Sequence, residues 1–392
     1  FEHETDIILV DTGHSYFGLC KYYEGKYITY TEEKPITMNP FLLSKKEYNE
    51  EKRDFLKSLV GLLWKGADGT LNQVEDSVLI SVVSDYYDGV FTGIIKKEDI
   101  NFNSFYEFSI KKMENIRTKE RIQIDVESYA YILKKFYKGG EYDQILNSPV
   151  DASLFDEKFI VFEIDNIKDN KILFPITTII IMDVFLQKMR HKNNRKALII
   201  EEAWKAIASP MMASYILYVY KTVRKFWGEA IVVTQELEDI ISNEIVKNSI
   251  INNSDTIILL DQAKFKENYK DVASLLSLND VEQKKIFTIN QLDNKDNRNR
   301  FKEVYIKRGM KGEVYGVEVS FEEYLTYTTE KREKMAIAVY LEMFDSYRRS
   351  IDQFVNDFKE SGLSLTFFCT KVMSNRDVLL KKMKDDLVIK TV

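Results

Sequence analysis

Three short apolar runs in this sequence each stop on polar residues. Ile7-Ile8-Leu9-Val10 stops on Asp11, Ala197-Leu198-Ile199-Ile200 on Glu201-Glu202, and Ile231-Val232-Val233 on Thr234-Gln235. A continuous apolar run of this length is a strand buried on both faces, and such strands belong to parallel sheets covered by helices. All strands of a parallel sheet end at one edge, and ligands collect beyond it. The pattern therefore predicts an α/β fold with Asp11, Glu201, Glu202 and Gln235 at one sheet edge.

The segments between these runs support that reading. Lys158–Asp165 is a further strand, 171–191 a long apolar helix, 211–226 a helix, and 196–201 and Ala230–Thr234 strands. A short helix from Asn243 and a strand at Thr256–Leu260 continue the alternation. Lys26–Thr31 reads as a short strand. Lys45–Trp64, Glu75–Tyr87, Ser104–Ile116 and Val126–Tyr137 carry helical periodicity, separated by Gly- and Asp-rich loops. Residues 42–150 thus read as an all-helical insertion outside the sheet. Lys302–Lys307 and Glu313–Val319 form a hairpin around Gly309 and Gly312. Helices follow at Lys334–Ser350 and Asp377–Lys384. The expected organisation is 1–41 as the start of the core, 42–150 as the insertion, 151–320 as the remainder of the core, and 321–392 as a C-terminal helical region.

Composition excludes several classes. The 392 residues are 45% hydrophobic and carry a net charge of −6, enough for a sizeable core and with no basic excess in the totals. Two cysteines, Cys20 and Cys369, read as reduced thiols of a cytosolic chain. His3, His14 and His191 have no zinc spacing. The apolar stretch Ile172–Leu186 contains Pro175 and Asp183 and falls short of the roughly 18–20 residues that span a bilayer. It reads as a core helix.

Chemistry concentrates at the strand ends. In Glu201-Glu202 one carboxylate can hold magnesium through water and the next can act as general base on the attacking water, as nucleotide hydrolysis requires. The bland alternative is a polar turn. Gln235, beyond Thr234, can orient water or sense the γ-phosphate, or simply end a strand. Arg224-Lys225 closes the intervening helix. It is either a dipole-favoured cap or a charge donated across a subunit interface. Asp11-Thr12-Gly13-His14-Ser15-Tyr16 brings a carboxylate, a flexible Gly and hydroxyls to the same edge. No Gly-x-x-x-x-Gly-Lys-Ser/Thr occurs anywhere. Either the chain is cut just after that loop, or it is not a nucleotide hydrolase.

Glu201-Glu202-Ala203-Trp204 resembles the Asp/Glu-Glu-Ala-Trp Walker B signature of the largest type IV secretion ATPase. The order strand, Glu-Glu-Ala-Trp, helix, Arg-Lys, strand, Thr-Gln is similar to that family. Asp11–Tyr16 resembles its Asp-x-x-x-x-Tyr element, and Thr29-Tyr30-Thr31-Glu32-Glu33 is similar to the TraG-type ATPases of conjugative transposons. The likeness runs from residue 1 to about 330. It implies a RecA-like P-loop NTPase core with a helical insertion and C-terminal helices, with the Walker A segment absent from this chain. It implies ATP and Mg2+, with Glu201 on magnesium, Asp11 and Thr234 on the nucleotide, and Glu202, Gln235, Arg224 and Lys225 catalytic. It further implies a hexamer or other homo-oligomer at the cytoplasmic face of the inner membrane. There it would meet other type IV secretion components and attach to the membrane through them. Contact with DNA or the relaxosome stays open. The function implied is ATP hydrolysis coupled to channel assembly or substrate transport in conjugative DNA transfer. The alternatives are a DNA-translocating coupling ATPase and a non-catalytic assembly scaffold. Glu201 stands where many relatives have Asp.

Overall fold

The structure, a computed structural model, describes residues 4–31, 35–148, 152–202, 216, 218–234, 250–291 and 301–381. The chain divides into two units, Phe1–Gly13 with Tyr27–Asn252 and His14–Lys26 with Asn253–Val392.

The first unit is built on a five-stranded sheet. Its strands are β1 (Asp6–Asp11), β2 (Lys26–Thr29), β3 (Phe159–Glu163), β4 (Lys196–Ile200) and β5 (Gly228–Val232), in the order β2-β3-β1-β4-β5. The pairs β1–β3, β1–β4 and β4–β5 are all parallel. Parallel pairing follows from the residues. Ile8, Leu9, Val10, Ile160, Val161, Phe162 and Leu198 are all buried, so these strands need cover on both faces.

Ile8, Val10, Leu198 and Ile200 pack into one apolar cluster with the helices that follow. Residues 42–148 contain helices and no strand among the described residues. The first long one is α2 (Glu50–Lys65), which Asn49 caps by accepting from Lys52 N and Gly66 ends at φ 74°. Then come α3 (Gln73–Phe91), opened by an Asn72–Glu75 capping box, α4 (Phe102–Asn115), α5 (Val126–Leu133) and α6 (Asp143–Asn147). The helix α7 (Leu173–His191) is the apolar stretch of the sequence, and nearly every side chain on it is buried. It lies under the sheet and in the same cluster as α2 and α3. No helix among the described residues is long and apolar enough to cross a membrane.

At the amino ends of β1 and β4, buried Asp6 pairs with Lys188 at 3.3 Å, and Lys196 donates to the Asn194 carbonyl at 2.6 Å. Burial pushes both lysines below their ordinary value. The Lys196 ammonium closes carbonyls of the turn between α7 and β4, and that of Lys188 closes the Leu154 and Glu157 carbonyls ahead of β3.

In the second unit, β6 (Thr256–Leu259), β7 (Phe301–Arg308) and β8 (Lys311–Glu318) form a separate antiparallel sheet. This corrects the expectation that 256–260 continues the parallel sheet. The apolar run is compatible with either sheet, and only its cross-strand partners decide. Ile258, 60% exposed, is not the doubly buried residue a central parallel strand would have. The helices α8 (Tyr269–Leu275) and α9 (Asp280–Ile286) accompany this sheet. The remaining helices are α1 (Phe17–Tyr22), α10 (Phe321–Tyr327), α11 (Lys331–Met343), α12 (Tyr347–Ser361) and α13 (Leu365–Ser374). The expected single helix Lys334–Ser350 is thus two. Phe344 is extended and Ser346 caps the second by accepting from Arg349 N. The expected helix at 377–384 is described only as far as residue 381. Cys20 and Cys369 are buried thiols, not disulfide-bonded.

Candidate active site at the carboxyl edge of the sheet

Register sets the site. Asp11 pairs with Glu163 on one side, and Val10 pairs with Ile200 on the other. Glu201 is therefore level with Asp11. Four backbone bonds fix this edge. Tyr30 N donates to Glu163 O at 3.1 Å, Ile164 N to Asp11 O at 2.9 Å, Glu201 N to Val10 O at 3.1 Å, and Val233 N to Ile200 O at 2.9 Å. Side chains at the same level of neighbouring strands share a face, so Glu163, Asp11 and Glu201 form a row.

One member of the row, Glu201, holds its proton more tightly than a free carboxyl does. Asp11 is fully buried and accepts from Gly13 N at 3.1 Å. Burial, the charge of Asp11, a side-chain hydrogen bond to it and the charge of Glu202 push Glu201 up to about 7. Oε2 of Glu201 is buried with no hydrogen-bond partner among the described residues. Glu163, 1% exposed, accepts from the Tyr27 hydroxyl at 3.2 Å and from Asp165 N at 2.7 Å. Glu202 follows in a turn, half-buried, at φ 50°. That left-handed backbone is costly for a residue with a Cβ and is typical of turns that aim a side chain.

Of the residues read from the sequence, the structure brings Asp11, Glu201, Glu202 and Thr234 to one edge. Gln235 lies outside the described residues, as do Ala203 and Trp204. Arg224 and Lys225 do not join them. They sit, exposed, in a short 3-10 turn, Val223–Phe226, at the amino end of β5. Among the described residues Arg224 has no ion-pair partner. Glu163 was not singled out from the sequence, although Phe159–Phe162 running into it has the same form as the other strand ends.

A buried carboxylate oxygen of Glu201 that lacks a partner among the described residues, level with buried Asp11, is an arrangement a divalent cation would complete. Among the described residues no three His, Cys, Asp or Glu side chains form a cation cage. Water and phosphate oxygens would have to supply the remaining ligands, as is usual for magnesium.

The parallel sheet with buried strands, carboxylates on its carboxyl edge and a helical insertion has the fold of the RecA-like P-loop NTPases, as the similarities to known proteins below show. The family is narrower than the fold: residues 1–358 match the TraG P-loop domain, and the chain belongs to that family, the TraG/VirB4-type ATPases of type IV secretion and conjugation. The type IV secretion protein VirB4 of Bartonella quintana is 26% identical over 157 residues, 40% of this chain and 19% of that relative. The match thus spans about a fifth of the length of the curated relative. In structure the chain is similar to VirB4 of Thermoanaerobacter pseudethanolicus, with TM-score 0.59, 18% identity, and 81% and 83% of the two chains covered. It is also similar to the bacterial conjugative coupling protein TrwBdeltaN70, with TM-score 0.50, 11% identity, and 81% and 78% covered.

Proposed function

We propose that this chain is the motor region of a conjugative type IV secretion ATPase, hydrolysing ATP to drive channel assembly or transport. The observation that carries the reading is the placement of fully buried Asp11 level with half-buried Glu201, with Glu202 next to it at the carboxyl edge. Glu201 would hold magnesium through water, with Asp11 and Thr234 toward the nucleotide. Magnesium there would neutralise charge on the β- and γ-phosphates. Glu202, one residue on and half-exposed, would take a proton from the attacking water. Gln235 would orient that water. Arg224, with Lys225, would serve a neighbouring subunit's site, since the turn bearing them lies at the other end of β5. The organisation 1–41, 42–150, 151–320 and 321–392 belongs to this reading, as do a ring of copies, other channel components as partners, and peripheral attachment at the cytoplasmic face of the inner membrane.

The test is ATP turnover by a chain in which a phosphate-binding loop precedes residue 1. Glu202→Gln should lower turnover roughly 10²–10⁴-fold while leaving nucleotide binding in place. Equal turnover in the variant removes Glu202 as base. No turnover in the unaltered protein leaves an assembly scaffold. The 392-residue chain alone should bind ATP weakly, because it has no loop amides or lysine around the phosphates.

A further inference from the structure

The turn that carries Arg224 is held with no slack. Trp227 ends it at φ 57°, and Trp227 O accepts from Lys196 N at 3.1 Å. A Cβ at Gly228 would stand 2.5 Å from Met189 Sδ and 3.1 Å from Val223 O. Val219 and Val223 are buried in the cluster that contains α7. The turn therefore rests directly on the last two turns of α7.

The same stretch of α7 is gripped by the helical block. Asp183, 1% exposed in the middle of an apolar helix, pairs with Lys52 of α2, 4% exposed, and accepts from Gln187 Nε2 at 2.7 Å. Two helical turns on, Arg190 pairs with Glu51, the neighbour of Lys52. Residues seven apart lie on one face, so α2 meets α7 through two successive ion pairs. Val219, on the helical residues 218–222 that lead into the Arg224 turn, is buried in the same cluster as α7.

We propose that Glu51 is a positioning residue for the Arg224–Lys225 turn. It joins two elements at one carboxylate, its own α2 and Arg190 of α7, next to Met189, on which the Arg224 turn rests. Lys52–Asp183 fixes the depth of α2 against α7, and Glu51 fixes the angle. A movement of the helical block then shifts the base of the Arg224 turn, because Met189 and Gly228 are in contact without free space. The placement of the turn stands on geometry alone. Its consequence for hydrolysis rests on the trans role proposed for Arg224.

The test is backbone amide exchange in the 392-residue chain, with amides 218–228 compared with those of α3 as an internal reference. Glu51→Ala should speed exchange at 218–228 about tenfold while the α3 amides are unchanged. Exchanging the pair, Glu51→Arg with Arg190→Glu, should restore protection. No acceleration, equal acceleration in α3, or failure of the exchanged pair to restore it would each overturn the proposal. In the longer motor, Glu51→Ala should also weaken whatever Arg224 contributes to a neighbour. If exchange responds as expected but Arg224 contributes nothing there, the trans reading fails and the positioning role stands.

Discussion

Asp11, fully buried, and Glu201, half-buried, stand level at the carboxyl ends of neighbouring parallel strands, so their carboxylates crowd one edge. Glu201 is pushed up from an ordinary value near 4.5 to about 7, so between those limits the folded chain binds a proton that the unfolded chain does not. This contribution to stability is fully present below the lower value and is lost as pH rises through the upper one. Denaturation midpoints of the nucleotide-free chain should therefore fall between about pH 5 and about pH 8. Glu201→Gln, which stays neutral, should flatten that dependence. An unchanged slope in the variant would place the titration elsewhere.

Gly312 offers a test in the second unit. A Cβ there would lie 1.7 Å from the Tyr305 hydroxyl, which donates to Glu282 Oε1 at 2.9 Å. Gly312→Ala should force Tyr305 aside and cost about 1–3 kcal/mol in chemical denaturation. Gly309→Ala makes a useful contrast. That residue meets nothing within 4 Å but stands at φ 58°, so its cost is backbone strain alone.

The buried Lys52–Asp183 pair should respond asymmetrically. Lys52→Met leaves a buried carboxylate without its cation and should destabilise the first unit by about 3–5 kcal/mol. Lys52→Met with Asp183→Leu removes both charges and should recover most of that loss. A double variant no more stable than the single one would mean that packing at the site, rather than charge, sets the cost.

Arg224 separates its two readings in mixed rings of the longer motor. Arg224→Ala subunits retain Glu202, and Glu202→Gln subunits retain Arg224. Mixing should recover hydrolysis that neither parent has, through interfaces that pair an intact Glu202 with a neighbour's intact Arg224. Rings proven mixed but inactive would leave Arg224 as a helix-end cation, with a value of about 0.3–1 kcal/mol.

The site edge was legible because parallel strands write their burial into the sequence. Val10 to Asp11 and Ile200 to Glu201 are abrupt apolar-to-acidic steps, and strands that all run the same way must gather such steps at one edge. What the sequence withheld depends on partners distant in the chain. Thr256–Leu259 is as apolar as β1, and only its antiparallel register with β7 assigns it to the second sheet. Glu163 passed as an ordinary strand end until its pairing with Asp11 placed it in the carboxylate row. Asp183 marked its helix as non-membrane, yet nothing near it in sequence names Lys52, which is 131 residues away.

The exposure of Trp227 has a spectroscopic consequence. Of the tryptophans among the described residues, Trp64 is 3% exposed and Trp227 71% exposed. One indole emits from a dry core and the other from water, three positions beyond Arg224. A soluble quencher should therefore reach the Trp227 emission and spare that of Trp64. Any partner that covers the Arg224 turn should move the accessible emission to shorter wavelength. The chain thus carries its own fluorescent probe beside the charge whose partner is in question.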